Sequence, residues 1–310
     1  MNHLVSLKDW PASLIQEVIR HGLRVKRHPA KFSQAMRGRT LLMLFEKPSL
    51  RTRVSFEVGM EQMGGHAIYY DLSASPAGKG KESIADLART VSRYVDIIMA
   101  RTFEHATIEE LARYATVPVI NGLSNFSHPC QILGDLMTLK EKKKKLKGLK
   151  LAYLGDAHNN VTHSLLFACP KVGVSVSIGC PKGAVYEPHP DVLAAARHWA
   201  AAAGTAVEIH HQATRAVADA DVVYTDSWMS YHIPEHEREK RYAALAPFQV
   251  TSALMRRAKP DAVFMHCLPA QRGVEQTAEV IDGPQSIVFD QAENRLHIQK
   301  AIILKLLGVL

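Results

Sequence analysis

Short apolar runs alternate along the chain with segments in which apolar residues recur every three or four positions. The runs predict buried strands, and the recurring positions predict helices with one buried face. In the first half the predicted strands cover residues 41–45, 95–100 and 117–120. In the second half they cover residues 149–154, 174–178, 207–209, 222–224, 263–265 and 287–289. This alternation is typical of an α/β fold with two doubly wound parallel-sheet domains.

The length of 310 residues suits two such domains. We expect the first domain to cover residues 1–139 and the second to cover residues 148–290. The lysine-rich segment at 140–147 is interpreted as a solvated helix end that connects them. The last helix, about residues 291–310, is expected to cross back and complete the first domain.

The segment Phe-Glu-Lys-Pro-Ser-Leu-Arg-Thr-Arg at 45–53 stands between a predicted strand and a predicted helix. Ser49 can cap that helix, whose first backbone N–H groups are available to an anion. Arg51 and Arg53 add planar guanidinium groups that match phosphate oxygens. This segment favours a phosphate site; a capped helix with solvated arginines remains the alternative.

Polar residues of different kinds follow the predicted strands of both halves, which is where open α/β sheets bind ligands. They are residues 49–53 and Arg101 in the first half, and Asn160, Asp226 and Cys267 in the second. The first group offers cations to an anion. The second group, with Ser230 close by, suits an amino-acid-like molecule, so we expect the active site in a cleft between the domains that closes on both ligands.

The formal net charge of +8 suits either nucleic acid or an anionic metabolite. No aromatic residue interrupts the lysine run at 140–147, which argues against nucleic acid. The turn at 155–160 lacks GxGxxG, so we reject a dinucleotide site, and no Walker loop is present. The four cysteines form no CxxC pair, and neither a signal pattern nor a membrane-spanning apolar run occurs. These features predict a cytoplasmic protein with no membrane partner.

Several motifs occur in a fixed order along the chain: residues 45–53, His-Pro-Cys-Gln at 128–131 with Asp135, Gly-Asp-Ala-His-Asn-Asn at 155–160, Asp-Ser-Trp-Met-Ser at 226–230, His-Cys-Leu-Pro at 266–269 and Glu-Asn-Arg at 293–295. Each is weak alone. As an ordered set covering nearly the whole chain, they resemble the motifs of the ornithine carbamoyltransferase family, part of the aspartate/ornithine carbamoyltransferases.

The resemblance implies transfer of the carbamoyl group of carbamoyl phosphate to the δ-amine of L-ornithine, giving L-citrulline and phosphate without a metal or an organic cofactor. It assigns carbamoyl phosphate to Ser49, Leu50, Arg51, Thr52, Arg101, His128, Gln131, Cys267, Leu268 and Arg295. It assigns ornithine to Asn160, Asp226, Ser230 and Tyr231. The catalytic residues it implies are Cys267, Arg295, Asp226, His128 and Arg101. It further implies a homotrimer or a multiple of one, and a cis bond between Leu268 and Pro269.

Some of these residues have a simpler interpretation when they are taken alone. An isolated His128 is typical of a structural histidine, and an isolated Cys267 is typical of a small packed side chain. A zinc site using His266 and Cys267 is disfavoured, because no second ligand pair has suitable spacing.

Three positions depart from the family pattern. Leu50 stands where a Thr is usual, Ser230-Tyr231-His232 stands where Ser-Met-Gly is usual, and Pro76-Ala77 interrupts a loop that reaches a neighbouring subunit in relatives. Two alternatives stay open. One is the same chemistry on another amine, such as putrescine or an N-acylornithine, with aspartate disfavoured. The other, motivated by the basic charge balance and the lysine run, is a protein that binds carbamoyl phosphate or nucleic acid without catalysis.

Overall fold

The computed structural model describes residues 3–230 and 233–310. It divides into two compact units: Met1–Met137 with Glu293–Leu310, and Thr138–Ala292. We call them the first unit and the second unit.

The first unit is built on a parallel sheet of β1 (Thr40–Phe45), β2 (His66–Asp71), β3 (Ile97–Arg101) and β4 (Val119–Leu123). Its strand order is β2-β1-β3-β4. The helices are α1 (Ala12–Arg27), α2 (Leu50–Glu61), α3 (Ile84–Val91), α4 (His105–Tyr114) and α5 (Pro129–Lys143), the last of which continues into the second unit. The central strands β1 and β3 are buried almost throughout, as expected of strands that are covered on both faces.

The second unit has a parallel sheet of β5 (Lys150–Leu154), β6 (Ser175–Gly179), β7 (Val207–His210), β8 (Val222–Thr225) and β9 (Val263–His266), in the order β7-β6-β5-β8-β9. Its helices are α6 (Asn160–Ala168), α7 (Pro190–Ala203), α8 (Ala213–Val217), α9 (Arg238–Leu245), α10 (Ser252–Met255) and α11 (Ala278–Ile281). The final helix, α12 (Val288–Leu306), begins in the second unit and ends in the first.

In each sheet the strand order reverses at one point, between β1 and β3 in the first unit and between β5 and β8 in the second. Open α/β sheets bind ligands in the crevice beyond the carboxyl ends of such strands. The segment at 49–53 follows β1 and Arg101 ends β3, while the turn at 155–160 follows β5 and Asp226 follows β8. These candidate residues therefore lie at the reversal point of their own sheet, whereas Cys267 follows the edge strand β9.

The predicted α/β class with two parallel sheets is confirmed, but three local predictions were wrong. No strand forms at residues 287–289, where Ile287 leads directly into α12 and neighbouring Ser286 makes a single bridge to Phe264. The sequence analysis missed β2, whose edge position leaves Ile68 and Tyr70 exposed and so weakens its apolar signal. Arg101 was expected to be exposed at a strand tip, and it is buried instead.

The lysine run at 140–147 was expected to be a solvated helix end, and most of its lysines are exposed, although two of them form ion pairs. Helix α5 continues to Lys143, whose ammonium group lies 3.0 Å from a carboxylate oxygen of Asp261. Lys142 forms an ion pair with Asp290 at 2.6 Å. Across residues 3–230 and 233–310, no helix is long and apolar enough to cross a membrane.

Candidate functional site

The turn between β1 and α2 has the geometry expected of a capped helix start. The Ser49 hydroxyl accepts a hydrogen bond from the Thr52 backbone N–H at 3.4 Å and lies 3.1 Å from the Thr52 hydroxyl. Thr52 is buried, Arg51 is half-buried, and Leu50 is exposed. Arg53 is directed elsewhere, because its guanidinium donates to Glu57 at 2.9 Å and lies over the Tyr69 ring. Arg51 is therefore the arginine of this turn that is placed to meet a ligand, whereas Arg53 is engaged by Glu57 and Tyr69.

Arg101 joins this turn through the sheet register. Strands β1 and β3 are parallel neighbours in which Arg101 pairs with Phe45, the last residue of β1. The Arg101 guanidinium lies 3.5 Å from the Thr52 hydroxyl. A buried guanidinium beside a helix N-terminus favours a negatively charged ligand.

His128 precedes α5, and Gln131 is in the first turn of that helix. The Gln131 side chain donates to Asp135 at 2.8 Å and accepts a hydrogen bond from Arg295 of α12. Gly134 permits this approach, because a Cβ atom at position 134 would lie 3.2 Å from the Arg295 Cδ. Gln131 and Arg295 are therefore held together by tight packing of α5 against α12.

Burial lowers the pKa of His128 well below its usual value, and the charges of Arg295, Arg101 and Lys47 lower it further. Burial also lowers the pKa of Lys47 to about 8, with a contribution from Arg101. We call Lys47, Arg101, His128 and Arg295 the basic cluster. Its histidine is neutral at physiological pH, and its excess of positive charge would be compensated by an anion such as a phosphate. The sequence analysis missed Lys47, which nothing but its burial distinguishes from other lysines.

In the second unit, Asp226 and Cys267 lie together because they follow adjacent strands. Thr225 of β8 pairs in register with His266 of β9, and each candidate is the next residue. The Cys267 thiol donates to a carboxylate oxygen of Asp226 at 2.9 Å, and the Ser227 backbone N–H donates to the same oxygen at 2.7 Å. Burial raises the pKa of Asp226. A carboxyl group with a raised pKa is suited to exchanging a proton with an amine.

The turn at 155–160 is held by Asn159. The Asn159 side chain caps α6 by accepting from the Thr162 backbone N–H at 2.8 Å, and it donates to Asp156 and Tyr153. Asn160 is the half-buried first residue of α6. Ser230 is half-buried as well, and Tyr231, with His232, lies outside the described residues.

Asp226, His266 and Cys267 could also hold a metal ion. One ligand atom from each lies within 4.8 Å of the other two. The sequence disfavoured a zinc site here because no second pair of ligands lies close to His266 and Cys267 along the chain. Asp226 instead comes from the end of a neighbouring strand. The Leu268-Pro269 bond is cis, as the resemblance implied.

Comparisons with known proteins cover both units. The model of the aspartate/ornithine carbamoyltransferase carbamoyl-P binding domain matches residues 2–141, and that of the Asp/Orn binding domain matches residues 147–306. An anabolic ornithine carbamoyltransferase from Pyrococcus furiosus is 50% identical over 98% of this chain and 96% of its own length. The ornithine carbamoyltransferase of Bacillus subtilis is 49% identical over 97% of this chain and 92% of its own length. A solved structure of the Pyrococcus furiosus enzyme has a TM-score of 0.94 and 49% identity, and the match covers 100% of this chain and 98% of that one.

The two parallel-sheet units, each with polar residues at its strand-order reversal, are those of a two-domain α/β enzyme. The chain belongs to the aspartate/ornithine carbamoyltransferase family.

Proposed function

We propose that this protein transfers the carbamoyl group of carbamoyl phosphate to the δ-amine of L-ornithine, releasing L-citrulline and phosphate. The observation that carries the proposal is the near full-length identity of about half to relatives named ornithine carbamoyltransferase. The basic cluster in the first unit and the carboxylate-thiol pair in the second supply the groups that this reaction needs.

Carbamoyl phosphate is the dianionic substrate, and the first unit suits it. The capped turn offers Ser49, Arg51, Thr52 and the backbone N–H of Leu50 to the phosphate group, and Arg101 adds a buried charge. The missing hydroxyl at Leu50 removes a side-chain donor but leaves that N–H available. Negative charge builds up on the departing phosphate, so fixed cationic donors stabilise the transition state more than the ground state.

The carbamoyl group needs a donor to its carbonyl oxygen and a partner for its amide. Thr52, Arg101 and a neutral His128 serve the oxygen, which becomes negative when the amine attacks. Gln131, fixed by Arg295 and Asp135, orients the amide nitrogen. The set of residues around the carbamoyl group is completed by Arg295, Cys267 and the carbonyl group of Leu268.

Ornithine attacks only after its δ-ammonium has lost a proton, because an ammonium has no free electron pair. Asp226, with its raised pKa and its thiol partner Cys267, accepts or directs that proton. Asn160, Ser230 and Tyr231 bind the α-amino and α-carboxylate groups. The neutral amine adds to the carbonyl carbon, its nitrogen gives one proton to the departing phosphate, and the tetrahedral intermediate collapses as the bond from carbon to the phosphate oxygen breaks. The reaction requires the carbamoyl donor and the amine acceptor to meet in one site.

The proposal also covers the direction of the reaction in metabolism, the oligomeric state and the cellular location. We infer the biosynthetic direction, toward arginine, because the Pyrococcus furiosus relative is named anabolic. A homotrimer, or a multiple of one, and a cytoplasmic location are proposed from the family resemblance.

The test compares carbamoyl transfer from carbamoyl phosphate to ornithine, putrescine and N-acetylornithine under the same conditions. We expect citrulline formation with ornithine and a kcat/KM for ornithine at least about a hundredfold above that for either other amine. Preference for another amine would overturn the assignment of ornithine. Tight binding of carbamoyl phosphate without turnover of any amine would overturn catalysis.

A further inference from the structure

Trp228 lies in the middle of the segment 226–230 and is buried. The family motifs assign it no role in binding the amine. Its backbone faces two ionisable side chains. The carbonyl oxygen accepts a hydrogen bond from the Arg241 Nε at 3.1 Å, and the backbone N–H is close enough to Glu275 to oppose the rise in the pKa of that carboxyl group that burial causes. Arg241 and Glu275 are themselves buried, so these contacts form away from water.

Arg241 extends this contact to the turn after β5. Its guanidinium forms an ion pair with Asp156, which is buried too. The other carboxylate oxygen of Asp156 accepts from the His158 backbone N–H at 2.9 Å. Arg241 also lies over the Tyr186 ring, at 5.3 Å from its centre. One side chain thus connects the segment 226–230 to the turn at 155–160.

Glu275 makes the corresponding connection to the segment that follows β9. Its carboxylate accepts from the Gln271 backbone N–H at 2.8 Å. The Gln271 side chain in turn lies 3.1 Å from the hydroxyl of Tyr242, the neighbour of Arg241 in α9. The segment 267–271, which begins with Cys267, is thereby tied to Glu275 and to α9.

The indole ring of Trp228 fills the space among these segments. It lies edge-on to the Tyr242 ring, with 5.9 Å between the ring centres. Its Nε1 would be 3.1 Å from a Cβ atom at Gly155, whose φ of +122° already favours glycine. A displaced Trp228 would therefore disturb the turn at 155–160 as well.

The buried ion pair of Arg241 and Asp156 is a poor source of stability, because desolvation offsets most of the attraction between the two groups. They do fix geometry, since a guanidinium and a carboxylate each accept only a narrow set of partner positions. Arg241 and Glu275 fix the three segments that follow β5, β8 and β9, and these segments carry the proposed amine-binding residues.

We propose that Arg241, through Trp228, and Glu275, through Gln271, are positioning residues that set the acceptor-amine site. This inference rests on the proposed function for the identity of the amine. In this proposal neither residue touches either substrate, and the phosphate group of carbamoyl phosphate is held by residues of the first unit.

The test uses Arg241→Met, Arg241→Lys and Glu275→Gln in the full chain, with two controls. Val280→Ala removes buried apolar volume from the same unit, and Arg272→Met breaks an exposed ion pair with Asp282. We expect Arg241→Met and Glu275→Gln to lower kcat/KM for ornithine by about tenfold or more, because small displacements of a reacting group are costly. The KM for carbamoyl phosphate should change less than about twofold. Arg241→Lys should recover part of the loss, because lysine can pair with Asp156 but cannot also donate as Nε does.

A structural role alone would give a different pattern. If Arg241→Met and Glu275→Gln lower the melting temperature as Val280→Ala does, and leave kcat/KM for ornithine unchanged, the proposal is overturned. Loss of affinity for carbamoyl phosphate to the same extent as for ornithine would also overturn it.

A second readout separates this proposal from the proposed function. Cys130, Cys169 and Cys180 are buried, so alkylation by iodoacetamide, located by mass spectrometry, reports on Cys267. We expect the alkylation rate of Cys267 to change at least about threefold in Arg241→Met and Glu275→Gln, and to stay constant in Arg272→Met. If the wild type fails to carbamoylate ornithine, the proposed function fails, and a changed alkylation rate would still support positioning. An unchanged rate would overturn positioning whatever the substrate.

Discussion

The guanidinium of Arg295 donates a hydrogen bond to the side-chain carbonyl of Gln131, although 164 positions separate the two residues. The contact joins α12 to α5 and leaves the Gln131 amide directed by Asp135. A side chain proposed to orient the carbamoyl amide is thus fixed at both of its polar atoms. Its geometry depends on how closely the two helices approach.

That approach depends on Gly134, and Gly134→Ala tests it. The added Cβ would lie 3.2 Å from the Arg295 Cδ, so the Arg295 side chain must give way by a few tenths of an ångström, which disturbs its contact with Gln131. Alanine favours the helix by up to about 1 kcal/mol, which offsets the crowding in the free energy of unfolding. We expect kcat to fall about tenfold with little change in melting temperature. In the control Gly59→Ala the nearest atom is 3.5 Å away, and activity should be retained. Equal activity of both variants would contradict the prediction.

Substitutions of the two arginines of the β1–α2 turn should differ in their effect on the KM for carbamoyl phosphate. Arg51 is half-buried, whereas Arg53 is engaged by Glu57 and Tyr69. We expect Arg51→Met to raise the KM for carbamoyl phosphate by about tenfold or more, and Arg53→Met to change it less than about twofold. Steady-state kinetics at saturating amine measure both values. A large effect at Arg53 would mean that its side chain leaves Glu57 when substrate binds.

The pH dependence of carbamoyl phosphate binding should report on Lys47. Burial and Arg101 lower the pKa of this lysine to about 8, while Glu46 and Glu104 partly oppose the shift. Above that pH Lys47 loses its positive charge, so the KM for carbamoyl phosphate should rise as pH increases through about 8. The neighbouring His128 is neutral throughout this range because its pKa is lowered. Lys47→Met should raise the KM at pH 7 and remove the dependence. A dependence that survives in Lys47→Met would assign it to another group.

Substitutions in the carboxylate-thiol pair should slow the reaction of the amine and leave the binding of carbamoyl phosphate unchanged. Asp226→Asn removes the proton acceptor, and we expect kcat to fall by about a hundredfold or more with an unchanged KM for carbamoyl phosphate. Cys267→Ser keeps a donor to Asp226 and should cost less. Rapid-quench or steady-state assays at saturating carbamoyl phosphate would measure the change. A larger loss for Cys267→Ser than for Asp226→Asn would reverse the roles proposed for the two groups.

The sequence was informative wherever a residue's role depends on its place along a strand. The apolar runs located the ends of β1, β3, β5, β8 and β9, and so placed Arg101, Asp226 and Cys267 at strand ends. It failed at β2, where an apolar stretch of only four residues, 67–70, lies on an edge strand. It also failed at residues 287–289, where Ile287 and Val288 are buried at a helix start and Phe289 is exposed.

Contacts between distant segments could not be predicted from one sequence. The burial of Lys47, the approach of Arg295 to Gln131 and the pairing of Arg241 with Asp156 depend on which helices pack together. Local periodicity carries no information on such choices. Arg53 and Glu57 are four residues apart in α2 and form an ion pair. Because residues at this spacing are neighbours on a helix surface, the pair could have been predicted from the sequence.

The register of β8 against β9 has a practical consequence. The separation of the carboxylate and the thiol is determined by the spacing between two hydrogen-bonded strands, since each group stands one position beyond a paired residue. The loops beyond them could therefore be exchanged for those of other acceptor-binding enzymes while the reactive pair stays in place. Acceptor choice in this protein is accordingly open to engineering by loop replacement, with the sheet acting as a fixed template.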